Sequence, residues 1–213
     1  MIIQDIMQKD VIYIQKNTSI QAALNLMKQH RIRHLPIVNE SDEIIGIISD
    51  RDLKEASPSI FQENNESLLL TSVEKVMISD VLTALPYDFV EEAANTMIEH
   101  QISCLPIEDA GKLIGIITET DLLQTLVTLT GADQPTSRLE VKVPNKKGML
   151  SDIASIIKKH NINIQSALVY PAKDPNKKIL VFRLQTMDLR LLSKELTNEQ
   201  YDVVWPIDME LKS

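Results

Sequence analysis

Apolar and polar positions in the first two thirds of the chain follow one pattern written twice. Met7 to Ile37 aligns with Met77 to Ile107 at an offset of 70. Met7, Asp10, Val11, Ala23, Asn25, Met27, His30, Ile32, Leu35, Pro36 and Ile37 recur as Met77, Asp80, Val81, Ala93, Asn95, Met97, His100, Ile102, Leu105, Pro106 and Ile107. One residue is then lost, and Ile45-Gly46-Ile47-Ile48-Ser49-Asp50-Arg51-Asp52-Leu53 matches Ile114-Gly115-Ile116-Ile117-Thr118-Glu119-Thr120-Asp121-Leu122. Two copies are too few for a solenoid, which needs several stacked units. The pattern predicts a pseudo-symmetric pair.

Each copy predicts the order β-α-β-β-α. A short apolar run, Val11–Ile14, reads as a strand. Thr18 with Gln21, and Asp88 with Glu91 in the second copy, have the spacing of helix capping boxes. Ala22, Ala23, Leu26 and Met27 then form one apolar face at helical spacing. Leu35–Val38 predicts a strand, residues 39–43 or 108–112 a polar turn, and Ile44–Ile48 or Leu113–Ile117 a β-branched strand. Ser49 or Thr118 starts a second helix. Ser57-Pro58 ends the helix in the first copy, and Gln62–Glu66 reads as solvent-exposed.

From Arg138 the pattern changes. Leu139–Val143 alternates as a strand, and residues 144–148 form a turn. Leu150, Ile153, Ala154, Ile156 and Ile157 make a helical face, and Asn161 is a residue that tolerates a left-handed cap. Ile162–Tyr170 and Lys178–Thr186 predict strands around Asp174-Pro175-Asn176, Leu189–Leu196 a helix and Val203–Trp205 a last strand. This is a βαββαβ, ferredoxin-like arrangement. The fold class is α+β. The boundaries read as residues 1–60 and 76–131 for the repeats, 61–75 and 132–137 for linkers, and 138–213 for the third module.

Composition narrows the functions. The chain has 213 residues and a net charge of −8, which disfavours a nucleic-acid partner because phosphate contacts need clustered cations. The charge is uneven: residues 1–136 hold 9 Lys/Arg against 21 Asp/Glu, residues 137–213 hold 13 against 9. Two different modules are expected on that ground as well. No apolar run is long enough to span a membrane, and Met1–Asp5 does not open as a signal peptide. With one cysteine, Cys104, no internal disulfide framework can form, and a cytoplasmic location is expected.

The paired string His-x-Ile-x-x-Leu-Pro-Ile, followed by Gly-Ile-Ile-Ser/Thr-x-x-Asp-Leu, resembles the cystathionine-β-synthase (CBS) domain, twice. Tandem CBS domains form a Bateman module, so the resemblance implies a regulatory unit that binds an adenine nucleotide (AMP, ADP or ATP) in clefts between the repeats. The third module resembles an ACT domain, through Asn145-Lys146-Lys147-Gly148-Met149-Leu150 at the strand-to-helix loop and Asn161-Ile162-Asn163-Ile164 at the second strand. Asn145 stands where that family usually has Asp. The resemblance implies a second effector, such as an amino acid, at Asn145, Gly148, Met149 and Leu150. The whole order, with Leu-Thr-Gly-Ala-Asp-Gln-Pro at 129–135 and Val-Val-Trp-Pro at 203–206, is similar to the acetoin-utilisation (AcuB) family. That similarity implies a part in controlling acetoin catabolism, and both domain families imply a homodimer.

Five glycines cannot assemble a Rossmann fingerprint or a Walker loop, so any phosphate must be met by helix N-termini and side chains. Ser49 lies at a helix start, with Asp52 one turn on and on the same side. A carboxylate there can accept both hydroxyls of a ribose; the same two residues can equally be a capping pair. The CBS resemblance assigns ribose and phosphate to Ser49 and Asp52 in one copy and to Thr118 and Asp121 in the other. It assigns the base to an apolar slot of Val11, Ile12, Leu35 and Pro36, and of Val81, Leu82, Leu105 and Pro106. Thr18, Arg33, His34, Arg51 and Thr120 complete the implied set.

The copies differ in charge. Arg31, Arg33, Arg51 and Lys54 stand opposite Gln101, Ser103, Thr120 and Leu123. Either the first cleft takes the more highly phosphorylated nucleotide, or these are solvated surface charges. Arg33 and His34 are adjacent on a strand and face opposite ways. Arg31 and Gln101 stand where many CBS domains have Gly, and a cap that is not left-handed is expected there. The four histidines lack metal-ligand spacing, and Cys104 reads as a buried, unreactive thiol. Three functions remain: a non-catalytic ligand sensor, a dimeric scaffold for a partner enzyme, and an enzyme. For the last, no nucleophile–base pair or metal cluster is found.

Overall fold

The computed structural model describes residues 1–56 and 69–207. It divides into two compact units, Met1–Leu123 and Gln124–Ser213. Ser57-Pro58 and Gln62–Glu66, read above as a helix stop and an exposed link, lie outside the described residues. No helix among the described residues is long and apolar enough to cross a membrane.

The first repeat contains β1 (Ile14–Gln15), α1 (Ile20–His30), β2 (His34–Val38), β3 (Ile44–Ser49) and α2 (Asp50–Ala56). β1 runs parallel to β2, which is antiparallel to β3. The second repeat contains α3 (Val90–His100), β4 (Cys104–Asp109), β5 (Lys112–Thr118) and α4 (Glu119–Thr130), with β4 antiparallel to β5. In place of a first strand it has one parallel bridge, Ala84 to Ile107.

The strand expected over Val11–Ile14 is therefore only Ile14–Gln15, and prolines explain why. Ala84 donates to the Pro106 carbonyl at 3.1 Å, and Glu108 donates to Ala84 at 3.0 Å. One step further up a parallel ladder, the Leu82 carbonyl would need the N–H of residue 106, and Pro has none. Ile14 pairs with Ile37 in the same way, so Pro36 stops the ladder at Ile12. The expected capping boxes are displaced by one residue. Ser19, not Thr18, caps α1, its Oγ accepting from Ala22 at 3.2 Å. Thr18 instead gives its carbonyl to the Val73 amide at 2.8 Å. In α3 the Glu92 carboxylate accepts from Phe89 at 3.3 Å, and Asp88 accepts from Leu85 at 2.7 Å in the turn before the helix. Ala22 is exposed; Ile20, Ala23 and Met27 carry the buried face of α1. Arg31 and Gln101 do adopt the left-handed conformation, with φ of 56° and 54°, contrary to the cap expected there.

The repeats exchange their leading segments. Ile3 is buried with Ala84, Leu105, Ile107 and Ile117, while Val73 is buried with Ile14, Leu35, Ile48 and Leu53. Gln8 and Ile116 exchange two backbone hydrogen bonds, of 2.9 and 3.0 Å; Ile78 and Ile47 do the same, both at 2.9 Å. Behind these bridges Met7 lies on Gly115 and Met77 on Gly46. A Cβ at Gly115 would meet the Met7 sulfur at 2.6 Å, and one at Gly46 the Met77 sulfur at 2.7 Å. The glycines are there to admit the exchanged segment.

The second unit contains β6 (Ser137–Pro144), α5 (Met149–Lys159), β7 (Ile164–Pro171), β8 (Lys177–Leu184), α6 (Arg190–Asn198) and β9 (Asp202–Trp205). The sheet is antiparallel throughout, in the order β7-β8-β6-β9, and realises the expected βαββαβ connectivity. Leu139, Val141 and Val143 pack with Leu180, Phe182 and Leu184 beneath Ile153, Ile156, Ile157, Leu192 and Leu196. Asn161 is left-handed at φ 55°, as expected. Leu150, read as part of the apolar face of α5, is 44% exposed, because the face turned to the core is set by Met149, Ile153, Ile156 and Ile157 and Leu150 lies to one side of it.

Candidate functional site

β3 runs directly into α2, and β5 into α4. At each junction a hydroxyl and a carboxylate one turn apart close on each other. Ser49 donates to Asp52 Oδ2 from its amide at 2.8 Å and from Oγ at 2.6 Å, and the Asp52 amide returns to Ser49 Oγ at 3.2 Å. Thr118 and Asp121 repeat this at 2.8, 2.6 and 3.4 Å. Each pair is thus a capping box, but the cap uses one carboxylate oxygen only. The second Asp52 oxygen has no protein donor among the described residues. Asp121 Oδ1 accepts from Gln8 Nε2 at 3.2 Å.

His34 sits beside this motif, paired with Ser49 across β2 and β3. Its Nε2 lies 2.9 Å from Ser103 Oγ, a hydrogen bond between the repeats. Burial, then the Arg33 charge, lowers the His34 pKa, while Asp52 and Glu119 pull it back up. Cys104 occupies the matching place opposite Thr118. Burial, then the Asp121 charge, pushes its thiol up to about 12. Arg33 precedes β2 and is exposed; its carbonyl accepts from Asp50 at 2.8 Å, as Ser103 accepts from Glu119 at 3.1 Å.

The apolar residues divide. Leu35 and Leu105 are fully buried and belong to the core floor, and Pro36 and Pro106 are buried beside them. Val11, Ile12 and Val81 are half-buried and Leu82 is exposed. Because the prolines end the ladder there, the carbonyls of Ile12 and Leu82 meet no donor among the described residues. Such groups can read the polar edge of a flat ring held over an apolar floor. Arg51 points elsewhere: its side chain is 86% exposed and pairs with Glu55 at 2.9 Å. Thr120 is exposed and Thr18 half-buried. Sequence reasoning missed Gln8 and Ser103, whose roles depend on partners in the other repeat.

An open cleft of about 500 Å³ lies at the far end of β2 and β3, lined by Gln15, Lys16, Asn17, Val38, Asn39 and Ile45 among others. It contains none of the expected ligand residues. Among the described residues no cluster of His, Cys, Asp and Glu could hold a metal ion.

In the second unit the β6–α5 loop is tied to the β7–β8 hairpin. The Asn145 amide donates to Asn176 at 2.7 Å and its Nδ2 to Pro175 at 3.4 Å. Gly148 turns the chain into α5 at φ 93°, a conformation that favours glycine. Asn145, Gly148 and Leu150 are exposed, while Met149 packs on the core.

Residues 3–59 and 73–128 match the CBS domain family, and residues 137–198 match the ACT domain family. A CBS domain-containing protein of Dictyostelium discoideum is 34% identical over 142 residues, covering 64% of this chain and 98% of that protein. Homoserine O-acetyltransferase of Methanococcoides burtonii is 35% identical over 121 residues, covering 56% of this chain; the match spans only 23% of that enzyme's length. Among solved structures, a putative acetoin utilization protein (AcuB) of Vibrio cholerae is 30% identical with a TM-score of 0.55, covering 64% of this chain and 98% of that one. The CBS domain pair of protein MJ0100, in complex with 5′-methylthioadenosine and S-adenosyl-L-methionine, is 29% identical with a TM-score of 0.53, covering 63% and 98%. CBSX2 in complex with AMP is 26% identical with a TM-score of 0.52, covering 59% and 96%.

Proposed function

Because this chain belongs to the CBS-domain family, with an ACT domain after its CBS pair, we propose that it is a non-catalytic sensor of adenine nucleotides or related adenosine derivatives. One observation carries the reading. In both repeats a carboxylate is fixed by a helix cap through one oxygen, and in the first the other oxygen is left for a ligand's diol. The base then lies beside the half-buried Val11 and Ile12, against the Ile12 carbonyl that Pro36 leaves without a donor. Similar CBS pairs have been solved with S-adenosyl-L-methionine and with AMP. A ligand of this kind acts by favouring one arrangement of the module over another. The ACT loop at Asn145, Gly148, Met149 and Leu150 is the place for a second small effector. The similarity to an acetoin utilization protein points to acetoin catabolism as the process controlled, and the cytoplasm, where adenine nucleotides abound, is the compartment proposed.

Equilibrium dialysis with AMP, ADP, ATP and S-adenosylmethionine tests the reading. Binding in the micromolar range is expected for at least one of them. Asp52→Asn keeps a capping oxygen but loses the charge, and is expected to weaken that binding tenfold or more, about 1.4 kcal/mol. No binding at millimolar ligand would favour the alternative, a homodimeric scaffold for a partner enzyme. The observation behind that alternative is the line of exposed leucines on α4, Leu123 at 63%, Leu126 at 57% and Leu129 at 53%.

A further inference from the structure

Gln8 and Ile78 hold equivalent places. Each follows the methionine that packs on the other repeat's glycine, and each is anchored by two backbone hydrogen bonds to the central strand residue, Ile116 or Ile47. Backbone geometry therefore makes the two positions alike, and only the side chains differ. Gln8 reaches Asp121 Oδ1 with its amide nitrogen at 3.2 Å. Ile78 has no donor to offer, so Asp52 Oδ1 stays open. Both Ser/Thr–Asp boxes have the same internal geometry, and this contact adds a difference at the outer oxygen.

We infer that Gln8 is a built-in competitor at the second crevice, and that it ranks the two sites. The Asp52 crevice accepts a ribose diol at once. The Asp121 crevice accepts one only after the Gln8 amide is displaced. The inference rests on the nucleotide reading above and adds which crevice fills first and what holds the other back. The competitor is a single exposed hydrogen bond to a carboxylate, so the handicap is about two- to tenfold in affinity, not closure. Gln8 is carried by the exchanged segment that includes Ile3 and Met7. Filling the second crevice therefore loosens one side-chain tie of that segment to the second repeat, whereas filling the first disturbs no such tie.

The test is a swap, since each substituted residue is native at the equivalent position. AMP and S-adenosylmethionine are titrated by calorimetry into the wild type, Gln8→Ile and Ile78→Gln, after thermal melts confirm that all three fold. The wild type is expected to bind with two unequal affinities. Gln8→Ile is expected to tighten the weaker site two- to tenfold and leave the stronger unchanged. Ile78→Gln is expected to weaken the stronger site by a similar factor. Separately, the side-chain amide signal of Gln8 in ligand-free protein should move on Asp121→Asn, which tests the contact without any nucleotide. Ligand binding that Gln8→Ile leaves unchanged or weakens would overturn the competitor role while sparing the sensor. Absence of binding in all three proteins would overturn the sensor reading itself, and the ranking with it.

Discussion

His34 links the two repeats: its ring touches Ser103, and burial first, then the Arg33 charge, lowers its pKa against the opposing pull of Asp52 and Glu119. Its pKa is lowered in the folded chain, so the unfolded chain takes up this proton first as the pH falls. Stability is then full above about pH 6.5 and declines as the pH drops from there toward the folded pKa. Denaturant melts of the wild type should show that slope, and His34→Gln, which keeps a hydrogen-bonding group without the titration, should remove it. Cys104 gives a second outcome: with its thiol raised to about 12 and its side chain buried, it should stay unlabelled by a thiol reagent at neutral pH until the chain unfolds. Rapid labelling of native protein would contradict that burial. At this scale the sequence was partly readable. Ser49–Asp52 and Thr118–Asp121 show themselves by recurring at a fixed spacing, and each pair is local. Gln8 and Ser103 do not, because their partners lie 113 and 69 positions away and no short pattern records such pairings.

Turns and strand edges are where expectation and structure part. The strand after residue 10 looks apolar enough to extend over Val11–Ile14, but Pro36, on the neighbouring strand, removes the donor it needs. The α1 cap moves from Thr18 to Ser19 in a chain whose Thr18 carbonyl is already engaged by the exchanged segment at Val73. In the ferredoxin-like unit, by contrast, alternation and helical periodicity place every element, because its one sheet face is buried by its own helices. Two predictions belong here. Arg31 and Gln101 hold left-handed backbone that costs a side-chain-bearing residue about 1–2 kcal/mol. Arg31→Gly should therefore stabilise the first unit, by about 0.5–1 kcal/mol once the greater freedom of unfolded glycine is subtracted. Gly115→Ala and Gly46→Ala should each destabilise it by about 1–3 kcal/mol, since the new methyl meets a methionine sulfur and, behind it, the backbone of residue 8 or 78. Chemical denaturation of the three variants checks both signs.

The described residues of the molecule form three buried apolar clusters, one in each repeat and one in the ferredoxin-like unit. A ligand of the CBS pair stabilises the unit that binds it. At a hundred times its dissociation constant, an adenine nucleotide should add about 2.7 kcal/mol to the unfolding of residues 1–123. Hydrogen exchange with and without AMP reads this gain in the amides of β2 and β3; unchanged protection there would contradict it. The crossing of the leading segments has a further consequence during synthesis. Residues 3–8 leave the ribosome well before the strand that receives them, which ends at Thr118. Until then Ile3 and Met7 have no home, and the first repeat in turn waits for Val73 and Met77. Such late-closing pairings slow the final step, so the nascent chain carries an apolar segment that a chaperone or a second nascent copy can seize before its proper berth exists.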